Sequence, residues 1–242
     1  METHRLFDSY PCASEFEMIL RQIEIASDSS AKIRLFRGQK AGYPLIPKVA
    51  RKNPQSITQE IEIQLMREFR RQLAQSEHIS NMNEWDTLVY GQHFGLATRL
   101  LDWTTNPLVA TWFALKRTHY EKSEKGFLFI LETNESIVDE NTLCKSPFDI
   151  EKTRVLKPSL NNSRIIAQSG WFTVHANYKG DLGFCNLADD ERSGIKISVI
   201  GISDYRQKII SKLNLLGVND ISVFPGPEGV ANHINWEFNH WL

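Results

Sequence analysis

Gln92-His93-Phe94-Gly95-Leu96-Ala97-Thr98-Arg99-Leu100-Leu101-Asp102-Trp103-Thr104 sets Gln92, His93, Thr98, Arg99, Asp102, Trp103 and Thr104 between two segments of helical pattern. Before it, Trp85, Leu88 and Val89 predict a helix from about Asn83 to Phe94. Within it, Thr98–Leu101 reads as a strand. After it, Pro107, behind Thr105 or Asn106 as cap, opens a helix to about Thr118. Each unpaired buried polar group costs roughly 1–3 kcal/mol, so packing so many at a strand–helix junction favours a site over plain core. Leu108, Ala110, Trp112, Phe113 and Leu115 read as the core behind it.

Working outward, Ala13 to Ala26 aligns Phe16, Ile19, Leu20 and Ile23 on a helical stripe, with Ser14 as N-cap and Glu17 three residues on. Ile33-Arg34-Leu35-Phe36-Arg37 alternates as a strand does and Gly38 ends it. Pro44, Pro47 and Pro54 make the following segment irregular. From Thr58 to Ser76, Ile61, Leu65, Phe69 and Leu73 recur every four residues, with Glu60, Glu62, Arg67, Arg70 and Arg71 on the wet faces of the helix. Toward the C-terminus, strands are expected at Phe127–Leu131, Trp171–His175, Ile195–Ile200 and Ile221–Phe224, and a helix from Asp204 to Leu216. Residues 132–163 are expected to cross the surface and 177–194 to form a loop. The pattern predicts one α+β domain with a mixed or antiparallel sheet, residues 1–30 forming a helical segment packed on a single unit over 31–242.

A chain of 242 residues, 41% hydrophobic and 24% charged, has the balance of a water-soluble globular protein. Its 28 basic and 29 acidic side chains nearly cancel, so no global field draws it to nucleic acid, although a local basic groove is compatible with that balance. Cys12, Cys144 and Cys185 are scattered without a Cys-x-x-Cys pair, and the histidines show no metal spacing, so neither a disulfide framework nor a metal is expected. No apolar run approaches the roughly 18 residues that span a bilayer, and the polar start leads to no apolar leader. The expectation is a cytoplasmic protein with no membrane partner. Phosphate-loop, dinucleotide-fingerprint, zincin and nucleophile-elbow patterns are missing, and no carboxylate cluster suits a two-metal nuclease.

Arg37, between Phe36 and Gly38 at a strand end, must reach solvent, pair with a carboxylate such as Asp102, or hold an anionic ligand such as a phosphate. Gly38 admits a ligand or another backbone at close range. Arg164, Gln168, Gly170, Thr173 and His175 form a third polar group. Glu228 lies in the Gly/Pro-rich turn Phe224-Pro225-Gly226-Pro227-Glu228-Gly229, where it faces solvent or a cleft.

Phe36-Arg37-Gly38-Gln39, Pro44-Leu45-Ile46-Pro47 with Arg51, Glu60 and Phe69, the Gln92–Thr104 block, Asn106-Pro107 with Ala110 and Phe113-Ala114, and Arg164–His175 together resemble the FRG domain family. The motifs run from about residue 30 to 234. A more distant resemblance is to NAD-dependent ADP-ribosyltransferases, in which an aromatic-Arg-Gly first strand precedes a Ser/Thr-bearing strand and a helix ending in Phe-Ala. That resemblance implies an ADP-ribosyltransferase-like fold, with NAD as substrate and no metal. It implies that Arg37 holds the phosphates or nicotinamide ribose and that Thr104 steadies the region. Gly38, Gln39, Gln92, His93, Thr98, Arg99, Trp103 and Gln168 would bind NAD, with Trp103 or a neighbouring aromatic stacking on nicotinamide. Gln168-Ser169-Gly170 has no Glu two residues after the Gln, so Asp102 or Glu228 has to serve as the carboxylate. By analogy such an enzyme is a toxin or phage-defence effector acting on RNA, DNA or protein, restrained by an antitoxin or chaperone. The non-catalytic alternative is a nucleotide- or RNA-binding module.

Overall fold

The computed structural model describes residues 13–27, 30–54, 59–75, 81–116, 125–159, 162–178, 183–202 and 206–238. Six strands, β1 (Ile33–Gln39), β2 (Leu100–Thr104), β3 (Gly126–Thr133), β4 (Arg154–Leu156), β5 (Gly170–Val174) and β6 (Lys196–Ile202), form one sheet in the order β4-β5-β2-β1-β3-β6. Every neighbouring pair is antiparallel, so of the two sheet types expected the antiparallel one is found, in an α+β fold. The described helices are α1 (Ala13–Ser27), α2 (Gln59–Gln72), α3 (Glu84–His93), α4 (Pro107–Leu115), α5 (Glu140–Leu143), α6 (Ser163–Ala167), α7 (Arg206–Leu215), α8 (Asp220–Val223) and α9 (Pro227–Glu237).

Strand alternation separates two faces. One face carries two helical clusters. Phe36, Leu128, Ile130 and Ile202 meet α1 through Phe16, Ile19 and Ile23, α4 through Val109, Ala110 and Trp112, and α7 through Ile209 and Leu213. Leu100, Phe172 and Val174 meet Met66 of α2 and Trp85, Leu88 and Val89 of α3. On the opposite face Leu35, Leu101, Trp103, Leu131 and Val155 pack under Leu45 and Leu187. α4 starts where expected because Asn106 Oδ1 accepts the N–H groups of Leu108 (2.9 Å) and Val109 (3.4 Å), with Pro107 supplying no N–H to satisfy. The expected continuation of α4 to Thr118, and the helix ends at Thr58 and Ser76, lie outside the described residues.

Four expectations are corrected. Ile221–Phe224 contributes to a helix, α8: Asn219 accepts the Ser222 N–H at 3.0 Å and donates its own N–H to Ser222 Oγ at 3.0 Å, a capping box that overrides the β-branched run. Residues 132–163 do not merely cross the surface, since β4 completes the sheet and Ser136, Phe148, Thr153 and Val155 are buried. The 177–194 segment contains two 3-10 turns and buries Phe184 and Leu187. The buried face of α2 is also rotated: Ile61 is 40% exposed whereas Glu62 is 3% and Met66 5% exposed. The cause is Arg99, fully buried below α2, which needs Glu62 as its counter-charge.

Candidate functional site

β2 begins at Leu100, two residues later than the strand expected at Thr98, and so it contains Asp102 and Thr104. It meets β1 where Phe36 stands opposite Thr104, whereas β1 runs beside β3 along its whole length. The sheet therefore loosens between β1 and β2, under the seam between the two helical clusters. A cavity of about 310 Å³ opens there, at the small end of ligand sites. Its wall takes Phe36, Arg37 and Gly38 from β1, Asp102, Trp103 and Thr104 from β2, and Gln92 and His93 from the end of α3. Ala110 and Phe113 come from α4, Arg164 and Ile165 from α6, and Gln168 with Gly170, Trp171 and Phe172 from β5 and its lead-in.

Of the three alternatives raised for Arg37, the pairing with Asp102 and the holding of an anion both bear on this wall. Thr105 N–H bonds to Ser169 O and His175 N–H to Arg99 O, so odd-numbered positions of β2 face β5 and the Asp102 carbonyl faces β1. Arg37 Nη1 donates to that carbonyl at 2.7 Å, supplying the bond that a regular ladder would have made, and lies 3.9 Å from Asp102 Oδ2. With the Gln39 amide oriented to satisfy its neighbours, Arg37 Nε donates to its oxygen at 3.2 Å. Burial lowers the Arg37 pKa from its ordinary value, Asp102 opposes that, and the charge of Arg51 adds to it. A guanidinium so desolvated, with its Asp102 partner largely solvated (58% exposed), suits an added anion.

The Asp102 carboxylate accepts from Gln92 Nε2 at 3.1 Å, and Gln92 Oε1 accepts from the Thr98 hydroxyl at 2.6 Å. Thr98 thus stands behind the wall and orients Gln92. Thr104 Oγ1 donates to Gln168 O at 2.6 Å and accepts the Asn106 N–H at 2.9 Å, which ties β2 to the start of α4 and to the turn before β5. Gln168 Nε2 donates to Val223 O at 3.1 Å, and Ser169, next to it, holds a left-handed φ of 47°. The His93 pKa is lowered, first by burial and then by the charge of Arg164.

With Thr98, four residues expected in the site lie outside the wall, and a fifth offers no ring. Arg99 is 0% exposed and spends its donors on Glu62, Pro147 O (3.1 Å) and Phe148 O (3.4 Å). Glu228 sits exposed in the first turn of α9, outside the cavity wall, because the strand expected before it is the helix α8. Gln39 stands behind Arg37 and outside the wall. Trp103 borders the cavity, but its indole is 3% exposed and faces the opposite side of the sheet, where Nε1 donates to Thr173 Oγ1 at 3.0 Å. Gly38 is in the wall for a backbone rather than a ligand: a Cβ there would stand 1.9 Å from Ala110 O.

Trp103 Nε1 can only donate, so the Thr173 hydroxyl proton is free for His175 Nε2 at 3.0 Å, and the ring is held neutral. Burial, with Arg37 and Arg99 adding, pushes the His175 pKa down to about 3. An unfolded histidine titrates near about 6.5, so below that pH the unfolded state gains a proton that the folded state refuses. This contribution is complete above about pH 6.5 and is lost as pH falls toward about 3, at roughly 1.4 kcal/mol per pH unit. Unfolding free energies from urea titrations at pH 6.5 and 5 should therefore differ more for wild type than for His175→Gln, by about 2 kcal/mol. Equal pH slopes for the two proteins would remove His175 from the acid response.

Sequence reasoning missed Glu62 as the partner of Arg99, and Phe113, Ile165 and Trp171 as wall residues. A Glu one position off an apolar stripe was the available signal for Glu62. Nothing local marks the other three, which reach the cavity through packing. Among the described residues no group of three or more His, Cys, Asp or Glu is placed to hold a metal ion, and no helix is long and apolar enough to cross a membrane.

Fold and wall together define an α+β protein whose polar cavity is set where an antiparallel sheet loosens between its central strands. Residues 32–123, which include Phe36-Arg37-Gly38 and the Gln92–Thr104 block, match the family model of the FRG domain. No curated protein and no solved structure matches the chain.

Proposed function

We propose that the protein is an ADP-ribosyltransferase that uses NAD to modify an intracellular macromolecule. The observation that carries this reading is the meeting in one cavity of a buried guanidinium, Arg37, with Asp102, the one carboxylate of the wall among the described residues. NAD, when bound, supplies a ribose whose N-glycosidic bond breaks with the electron pair leaving on nicotinamide. Arg37 would hold the pyrophosphate, and Asp102 would stabilise the positive charge that grows on the ribose. The proton of the target's attacking group passes to the Asp102 carboxylate as the new bond to the ribose forms. Phe113 replaces Trp103 as the aromatic for the nicotinamide ring, since it lines the cavity and is only partly buried. Thr98 and Gln92 aim the carboxylate, and Thr104 keeps β2 and β5 in register around it. A toxin or phage-defence role, held in check by an antitoxin or chaperone, is the setting that suits such an activity.

Incubation with labelled NAD and cell extract tests the reading. Wild type should release nicotinamide and label a macromolecule. Arg37→Ala should weaken NAD binding about 10- to 100-fold. Asp102→Asn should lower turnover by about 100-fold or more with binding retained. Neither label nor nicotinamide from wild type sinks the enzyme. The second reading, a non-catalytic nucleotide- or RNA-binding module, is favoured by Gly170 standing two residues after Gln168, where a Gln-x-Glu pattern would carry its acid. Calorimetric binding of NAD or nucleotide without turnover would select it.

A further inference from the structure

Among the described residues, the guanidinium groups on the strands, on the lead-in to β2 and in the cavity wall are, with one exception, engaged by protein acceptors. Arg34 pairs with Glu132, Arg99 with Glu62, and Arg37 bonds to the Asp102 carbonyl. Arg164, in the cavity wall, is the exception. Among the described residues its side chain has no carboxylate, carbonyl or hydroxyl partner, and its hydrogen bonds are those of its backbone, the N–H to Asn162 Oδ1 and the carbonyl from the Gln168 N–H. What holds it is a ring: its Cζ lies 4.5 Å from the centroid of Phe224. Phe224 is itself fixed against Trp112 (5.8 Å) and against Phe113 of the cavity wall (5.9 Å). Stacking fixes a guanidinium by its face and leaves its N–H edge unspent.

The position differs from that of Arg37. Arg37 enters the cavity from β1, whereas Arg164 enters from α6, which leads into β5 on the far side of β2. Asp102 belongs to the Arg37 side, where it is already engaged, and among the described residues no other carboxylate lines the wall to neutralise Arg164. An arginine held over a ring, with free donors in a small cavity, is built for a planar or tetrahedral oxyanion. We infer that Arg164 forms a second phosphate-binding position, separate from that of Arg37. This deepens the reading of the cavity as a nucleotide site and rests on it for the substrate. The phosphate belongs either to NAD itself or to the backbone of a single-stranded nucleic-acid target, and the experiment separates the two.

Wild type, Arg37→Ala, Arg164→Gln and Arg164→Lys are titrated at one salt concentration with NAD, with inorganic pyrophosphate and with a short single-stranded oligonucleotide. Arg164→Gln should weaken phosphate binding by about 10- to 100-fold, the fold-change of a lost charge-assisted hydrogen bond. Arg164→Lys, which keeps the charge, should recover part of it and shows that a loss is not misfolding. Weaker NAD and pyrophosphate binding assigns the position to the nucleotide. A loss confined to the oligonucleotide assigns it to the target backbone. Unchanged affinity for all three, or binding of none of them by wild type, overturns the inference. If Arg37→Ala loses NAD while Arg164→Gln matches wild type throughout, this position fails and the proposed function stands. If wild type ignores NAD yet holds the oligonucleotide through Arg164, the proposed function fails and this position stands.

Discussion

Glu62→Ala is expected to lower stability by about 3–5 kcal/mol, enough to leave a typical domain largely unfolded under mild denaturant. Arg99 is 0% exposed, and Glu62 above it is 3% exposed. Arg99 Nε donates to Glu62 Oε1 at 3.0 Å and Nη2 donates to Oε2, so the pair is bidentate. Burial raises the Glu62 pKa, and the hydrogen bond and charge of Arg99 pull it back. Without Glu62 the guanidinium keeps two carbonyls and the rings of Phe148 (4.9 Å) and Phe184 (5.6 Å), but no counter-charge. Because the penalty is that of an uncompensated charge, removing both partners should be milder than removing one. The double variant Glu62→Leu with Arg99→Met should therefore regain much of the loss. Urea unfolding followed by circular dichroism decides it: a single-variant change below about 1 kcal/mol would mean that water reaches the pair.

Gly38→Ala should destabilise by about 3 kcal/mol or more and disturb the cavity as well. The added Cβ would lie 1.9 Å from Ala110 O and 2.4 Å from Ala114 N, both backbone atoms of α4. A backbone cannot rotate out of the way as a side chain does, so α4 itself has to rise from β1. α4 brings Ala110 and Phe113 to the cavity wall, and lifting it shifts that wall relative to Arg37. Gly201→Ala is the control, because its Cβ would meet nothing within 4 Å and the change should stay within about 0.5 kcal/mol. Similar melting temperatures for the two variants would refute the close contact between helix and strand.

Much of the site was legible because its residues are contiguous. The Gln92–Thr104 block and Phe36-Arg37-Gly38 stand out as polar groups at strand ends, and their chemistry is carried by residue type alone. Their sides were harder to read. The strand continues to Thr104, beyond the end expected at Leu101, and its pairing with β1 puts Asp102 and Thr104 on the face of Phe36 while Trp103 turns to the other, since strand side chains alternate with period two. Glu228 was misplaced for a different reason. The capping box at Asn219 and Ser222 outweighs the strand propensity of Ile221 and Val223, and a helix delivers the following turn elsewhere.

From the amino-acid order alone come the α+β class, the FRG motifs, the cap and start of α4, and the polar groups from which a site is drawn, because these depend on neighbours in the chain. Tertiary structure decided which members of that set share a cavity. It sent Arg99 to Glu62, turned Trp103 away, gave Gly38 to the backbone of α4, and brought Arg164 from beyond residue 160 to the wall that also holds Arg37. The reason is physical: whether an arginine serves as a structural ion pair or an anion holder depends on the nearest carboxylate in space, which sequence separation does not encode.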